Sequence, residues 1–130
     1  MMTKEQHIAY WVEAANKDWE AIQSMFQAKT YVYALFFAHL CLEKLLKAHW
    51  VKDNKGNTPP KIHFLLTILD YTKMQLTKEE KAFLGSMNQF QLEGRYPDYQ
   101  FELYKKYDAV QTKIILDQVN TIRICLLKNL

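Results

Sequence analysis

The chain has little of what most folds and chemistries require. Only three glycines and three prolines occur in 130 residues, so the repeated turn punctuation of an all-β sandwich or barrel is missing. There are two cysteines, Cys41 and Cys125, in no C-x-x-C or other metal-ligand spacing, which excludes a disulfide framework and reads as two buried free thiols. No Gly-rich phosphate loop and no recognisable Ser or Cys nucleophile arrangement is present. No apolar run reaches the length of a membrane span, and Met1-Met-Thr-Lys-Glu-Gln-His7 has no apolar core behind a basic start, so a cytoplasmic protein without membrane association is expected. Net charge is scarce too: 17 Lys+Arg against 14 Asp+Glu leaves +3, too little for a surface that grips an extended DNA duplex through many phosphates. A local basic pocket remains compatible with that small sum.

What is abundant is helix-forming apolar pattern. Hydrophobic residues at 49% and charged residues at 24% are ordinary globular usage, and the length suits a single domain over residues 1–130. Ile8, Val12, Ala15, Trp19, Ile22 and Phe26 recur in steps of four and three, which predicts an amphipathic first helix ending near Lys29-Thr30. A second helix is predicted from about Tyr31 to Lys52, apolar around its whole circumference and therefore buried on more than one side. Asp53-Asn-Lys-Gly-Asn-Thr-Pro-Pro60 reads as a loop, with Gly56 free to take positive φ. A shorter helix follows over about Lys61 to Lys73. Thr77-Lys-Glu-Glu80 has capping-box spacing and opens a fourth helix through Phe90. Gln91 to Leu103, containing Gly94 and Pro97, reads as an irregular strap, and a last helix runs from about Tyr104 to Leu127 with Ile115, Val119, Ile122 and Leu126 inward. The sum is an all-α, up-and-down four-helix bundle with one additional short helix.

Within the second helix His39, Glu43 and Lys47 stand at i, i+4 and i+8, one polar stripe on a mostly buried surface. Polar groups so placed need an internal network, a second subunit or a bound anion. Glu43 before Lys47 is also the favoured orientation of an ordinary helix ion pair. His39 with Glu43 has the spacing of two metal ligands, but two are too few and no H-E-x-x-H occurs, so no metal and no cofactor is expected. His63, behind the prolines, either meets a ligand or caps its helix. Arg95 is either a bidentate phosphate clamp or the ion-pair partner of Asp98. Tyr96 and Tyr99 beside it are placed to stack a base, as Trp11 is, whereas Trp19 falls in the apolar stripe.

The order of Ala14-Ala-x-x-Asp18, His39-x-x-x-Glu43-Lys44-x-x-Lys47-Ala48, Pro60-Lys-x-His63, Asn88 and Arg95-Tyr-Pro-Asp98 resembles the HEPN family over nearly the whole chain. That resemblance implies a bundle of four to five helices, usually a homodimer, often paired with a minimal nucleotidyltransferase as toxin and antitoxin. It also implies binding of a nucleotide or an RNA end at Arg95, Asp98, Lys47, His63, Glu43, Lys44 and Tyr96. One branch of the family cleaves RNA with an Arg and a His four to six residues beyond it. Here Arg95 is followed by Tyr-Pro-Asp-Tyr-Gln-Phe-Glu, and no His occurs after His63. Asp98 or Glu102 could stand in for imidazole only with a strongly raised pKa, so no catalytic residue is expected. Three functions remain open: a non-catalytic nucleotide or RNA binder beside a nucleotidyltransferase, a dimeric protein-interaction module, and a metal-independent ribonuclease with altered acid/base residues.

Overall fold

The computed structural model describes residues 1–93 and 105–130. Every regular element among them is helical: α1 Lys4–Gln27, α2 Tyr31–Asp53, α3 Leu65–Asp70, α4 Lys78–Glu93 and α5 Ala109–Lys128. No helix among them is long and apolar enough to cross a membrane.

Helix α1 starts on a capping box that the expected pattern did not include. The Gln6 N–H donates to Thr3 Oγ1 at 3.1 Å, and the Thr3 N–H donates to Gln6 Oε1 at 2.8 Å. It ends on Lys29, whose φ of 63° is the left-handed conformation usually given to glycine. Two closing hydrogen bonds, Thr30 N–H to Met25 O at 2.9 Å and Lys29 N–H to Phe26 O at 3.0 Å, complete a Schellman turn. The chain then reverses directly into α2, so the two long helices are antiparallel neighbours.

Helix α2 is the centre of the molecule, in contact with all four other helices. Its buried residues, among them Leu35, Leu42, Leu45, Leu46 and Val51, lie on every side, as its uninterrupted apolarity requires. Its C-terminal carbonyls are held by the ammonium of Lys4, which donates to Val51 O and Asn54 O at 2.7 Å and to Gly56 O at 3.0 Å. A cation there complements the negative end of the helix dipole. Asp53 ties the following loop down, accepting the Lys73 N–H at 2.7 Å. Gly56 turns without positive φ; among the described residues only Lys29 takes it.

Helix α3 is shorter than the Lys61–Lys73 expected from the pattern. Behind Pro60 the chain makes a tight turn, with the Ile62 N–H donating to Pro60 O at 2.8 Å, and is non-helical up to the extended Phe64; Ile62 packs on the core, and Leu65, Ile68 and Leu69 supply the one buried turn. The Thr72 hydroxyl, donating to Leu69 O at 2.7 Å, closes it. The Thr77 capping box forms as its spacing predicts, with Thr77 N–H to Glu80 Oε1 at 2.8 Å and Glu80 N–H to Thr77 Oγ1 at 3.1 Å. Helix α4 continues to Glu93, past the Gln91 at which the strap was expected, and buries Leu84, Met87 and Phe90. Helix α5 is capped by Asp108, whose Oδ1 accepts the Gln111 N–H at 2.9 Å. It therefore begins later than Tyr104, and it buries Leu116, Val119, Ile122 and Leu126, with Ile115 only partly covered.

Candidate functional site

The polar stripe of α2 meets side chains from α1 and the loop after the prolines. Glu43, 6% exposed, divides its carboxylate between two partners. Its Oε2 lies 3.2 Å from Lys47 Nζ, one helical turn on, and its Oε1 lies 3.1 Å from Nδ1 of His63. Because a carboxylate only accepts, Nδ1 of His63 carries the proton in this contact, which leaves Nε2 as the free ring nitrogen. The side chain of His63 is 42% exposed against 7% for Glu43, so the buried charge is connected to the surface through this imidazole. Lys47 is equally enclosed: its ammonium sits 5.6 Å from the ring centroid of Trp11 on α1, within cation–π range.

Beneath this pair lies His39, fully buried, with Nδ1 3.9 Å from Glu43 Oε1. Burial lowers its pKa to about 4; the Glu43 carboxylate, the Asn88 side chain and the His63 backbone pull the other way without restoring it. Neither ring nitrogen closes a hydrogen bond, and Oδ1 of Asn88 is likewise buried and unpartnered. At neutral pH His39 is thus an uncharged core imidazole, not a proton carrier. Among the described residues no three His, Cys, Asp or Glu side chains are grouped to hold a metal ion.

Of the seven residues expected to bind ligand, the structure brings Glu43, Lys47 and His63 together. Lys44 is paired separately: its Nζ is 2.8 Å from Asp18 Oδ2, an ion pair between α2 and α1. Arg95, Tyr96 and Asp98 lie outside the described residues. The i, i+4 spacing revealed Glu43–Lys47, but not the Trp11 ring under Lys47, since nothing in a local pattern reports which face of α1 meets α2.

Beside the Asp18–Lys44 pair, Cys41 donates its thiol to Ala15 O at 3.4 Å. Burial pushes its pKa up to about 12, helped by the Asp18 charge and opposed by Arg123 and Lys44. Arg123 of α5 lies 4.7 Å over the ring of Trp19.

Comparison with curated proteins and with solved structures finds no match in either. The family model described as HEPN domain matches residues 8–127, which takes in every described helix except the first turn of α1 and the last residue of α5. The five helices among the described residues, the buried His39–Glu43–Lys47 stripe and this match agree, and the chain belongs to the HEPN domain family.

Proposed function

We propose that this HEPN protein binds a nucleotide or an RNA end without cleaving it, as a homodimer working beside a minimal nucleotidyltransferase in a toxin–antitoxin arrangement. The observation that carries the proposal is the Glu43–His63 contact at 3.1 Å, which orients an exposed imidazole from a buried carboxylate. Packing alone gives no reason to place a charged group at that depth. In this account His63 presents Nε2 to the ligand, Glu43 fixes the ring, and Lys47 balances the carboxylate's charge. Arg95 supplies the phosphate contact, with Asp98 and Tyr96 beside it. Two observations weigh against cleavage: burial lowers the pKa of His39, and no His follows Arg95.

The test is direct binding of a short 5′-labelled RNA and of nucleoside triphosphates to the unmutated protein, to His63→Ala and to Arg95→Ala. Weaker binding by both variants, with circular dichroism unchanged, supports the proposal. Equal affinity in all three removes both residues from the site.

A second function, a protein-interaction module with no nucleic-acid ligand, is favoured by one observation. The ammonium groups of Lys44 and Lys47 already face carboxylates, at 2.8 Å and 3.2 Å, which leaves neither free to meet a phosphate. Under that alternative no nucleotide or RNA raises the unfolding temperature, because only a ligand of the native state does so.

A further inference from the structure

A cavity of about 250 Å³ opens between α1 and α5, away from the Glu43 cluster. Trp19 and Phe26 line it from α1, and Leu116, Asp117 and Asn120 from α5. An aromatic ring, an apolar floor and polar tips are the usual make-up of a site for a flat, hydrogen-bonding molecule.

One of the polar tips, Asn120, is fixed in orientation. Arg123 Nε donates to Asn120 Oδ1 at 3.0 Å. A guanidinium can only donate, so the side-chain oxygen of Asn120 must face Arg123, and its NH₂ group remains to donate. The same guanidinium lies 4.7 Å over Trp19, so one arginine positions both the indole and the amide. Among the described residues the Asp117 carboxylate pairs only with Lys113, at 3.1 Å, and both side chains are mostly exposed at 66% and 63%. Such a surface pair contributes little, and the carboxylate is available to a better-aligned donor pair.

We infer that this cavity is a guanine-binding site, in which Trp19 stacks the base, Asp117 accepts N1–H and N2–H, and the Asn120 amide donates to a base acceptor, O6 or N7. An acceptor pair beside a donor is the complement of guanine. Adenine would set its N1 lone pair against the Asp117 carboxylate, an uncompensated repulsion. The inference deepens the reading that the ligand is a nucleotide or RNA, and it rests on that reading for ligand class alone, since it uses none of the Glu43–His63 residues.

The experiment titrates the intact protein with guanosine and adenosine, which lack phosphate, following tryptophan fluorescence, and then with a uridine pentanucleotide carrying one central G or one central A. Guanosine, the G-containing strand or both are expected to bind more tightly than their adenine counterparts, by roughly tenfold or more. Asp117→Asn is expected to erase that preference, because the exposed Asp117 leaves the fold unaffected. His63→Ala retains it, which separates this site from the one proposed above. Binding of neither guanine probe, equal binding of guanine and adenine, or a preference unchanged in Asp117→Asn overturns the inference. RNA binding that fails in His63→Ala while no guanine preference exists would leave the earlier proposal standing and this one refuted.

Discussion

His63 Nδ1 lies 3.1 Å from Glu43 Oε1, although 20 residues and a proline-rich loop separate the two in the chain. The other oxygen of that carboxylate is 3.2 Å from Lys47 Nζ, and the Lys47 side chain is only 9% exposed. The carboxylate therefore compensates a lysine that has little water around it. Glu43→Leu is expected to destabilise the protein by about 3 kcal/mol, because it leaves a nearly buried ammonium uncompensated. The double variant Glu43→Leu/Lys47→Met removes both charges and should recover most of that loss. Urea unfolding of the three proteins checks this. A double variant no more stable than the single one would show that the loss arises from packing and not from charge.

Stability should fall on acidification because of His39. Its folded pKa is depressed to about 4 from 6.5, so between those values the unfolded chain binds the proton and the native state does not. Stability is complete above about pH 6.5, declines as pH drops through the window and levels off below about pH 4. His49 is lowered in the same direction by burial and adds to the trend. By pH 5 the His39 contribution to the loss is roughly 2 kcal/mol. Urea unfolding of the unmutated protein and of His39→Gln at pH 7 and pH 5 should show a smaller drop in the variant. Equal drops would mean that His39 titrates normally.

The two thiols should react very differently. Cys41 is fully buried with its pKa pushed up to about 12, whereas Cys125 is only partly covered. Since the thiolate is the reactive form, an aromatic disulfide reagent at pH 8 should label one thiol per native chain and two after denaturation. Peptide mapping should place the native label on Cys125. Rapid native labelling of Cys41 would contradict the closed packing of α1 on α2.

Lys29 carries a non-glycine residue in the left-handed conformation at the α1 turn, φ 63°. Lys29→Gly removes that steric penalty, partly offset by the greater freedom of glycine in the unfolded chain. A gain of roughly 0.5–1 kcal/mol in thermal or urea unfolding is expected. A loss would mean that the turn is held by contacts of the lysine side chain.

The parts of this fold that were legible in the sequence are those set by local periodicity. The four-and-three steps of α1 and the Thr77 box depend on neighbours within a turn or two, and both appear as expected. The extent of α3 was not legible, because apolar Ile62 and Phe64 fit a helical pattern as readily as the non-helical segment that follows Pro60. In the site, Glu43–Lys47 follows from spacing on one helix. The pairing of Lys44 with Asp18 does not: Lys44 and Lys47 are three residues apart and look equivalent in sequence, yet the packing of α1 sets one beside the Asp18 carboxylate and the other beside the Trp11 ring. The cavity at Trp19 was hidden for a related reason, since Trp19 sits in the apolar stripe and its partner Arg123 belongs to a helix a hundred residues later.

The central claim is that the native bundle binds a nucleotide or RNA end through His63 and Arg95, and thermal unfolding tests it most directly. The purified protein is melted alone, with ATP and the other nucleoside triphosphates, and with short RNA, alongside Arg95→Ala and His63→Ala. A ligand that binds only the folded state must raise the midpoint, by an amount that grows with its concentration. The account predicts a rise for at least one of these ligands with the unmutated protein and a reduced rise in both variants. An unfolding midpoint that no ligand shifts at saturating concentration would contradict it and leave the interaction module as the function of this domain.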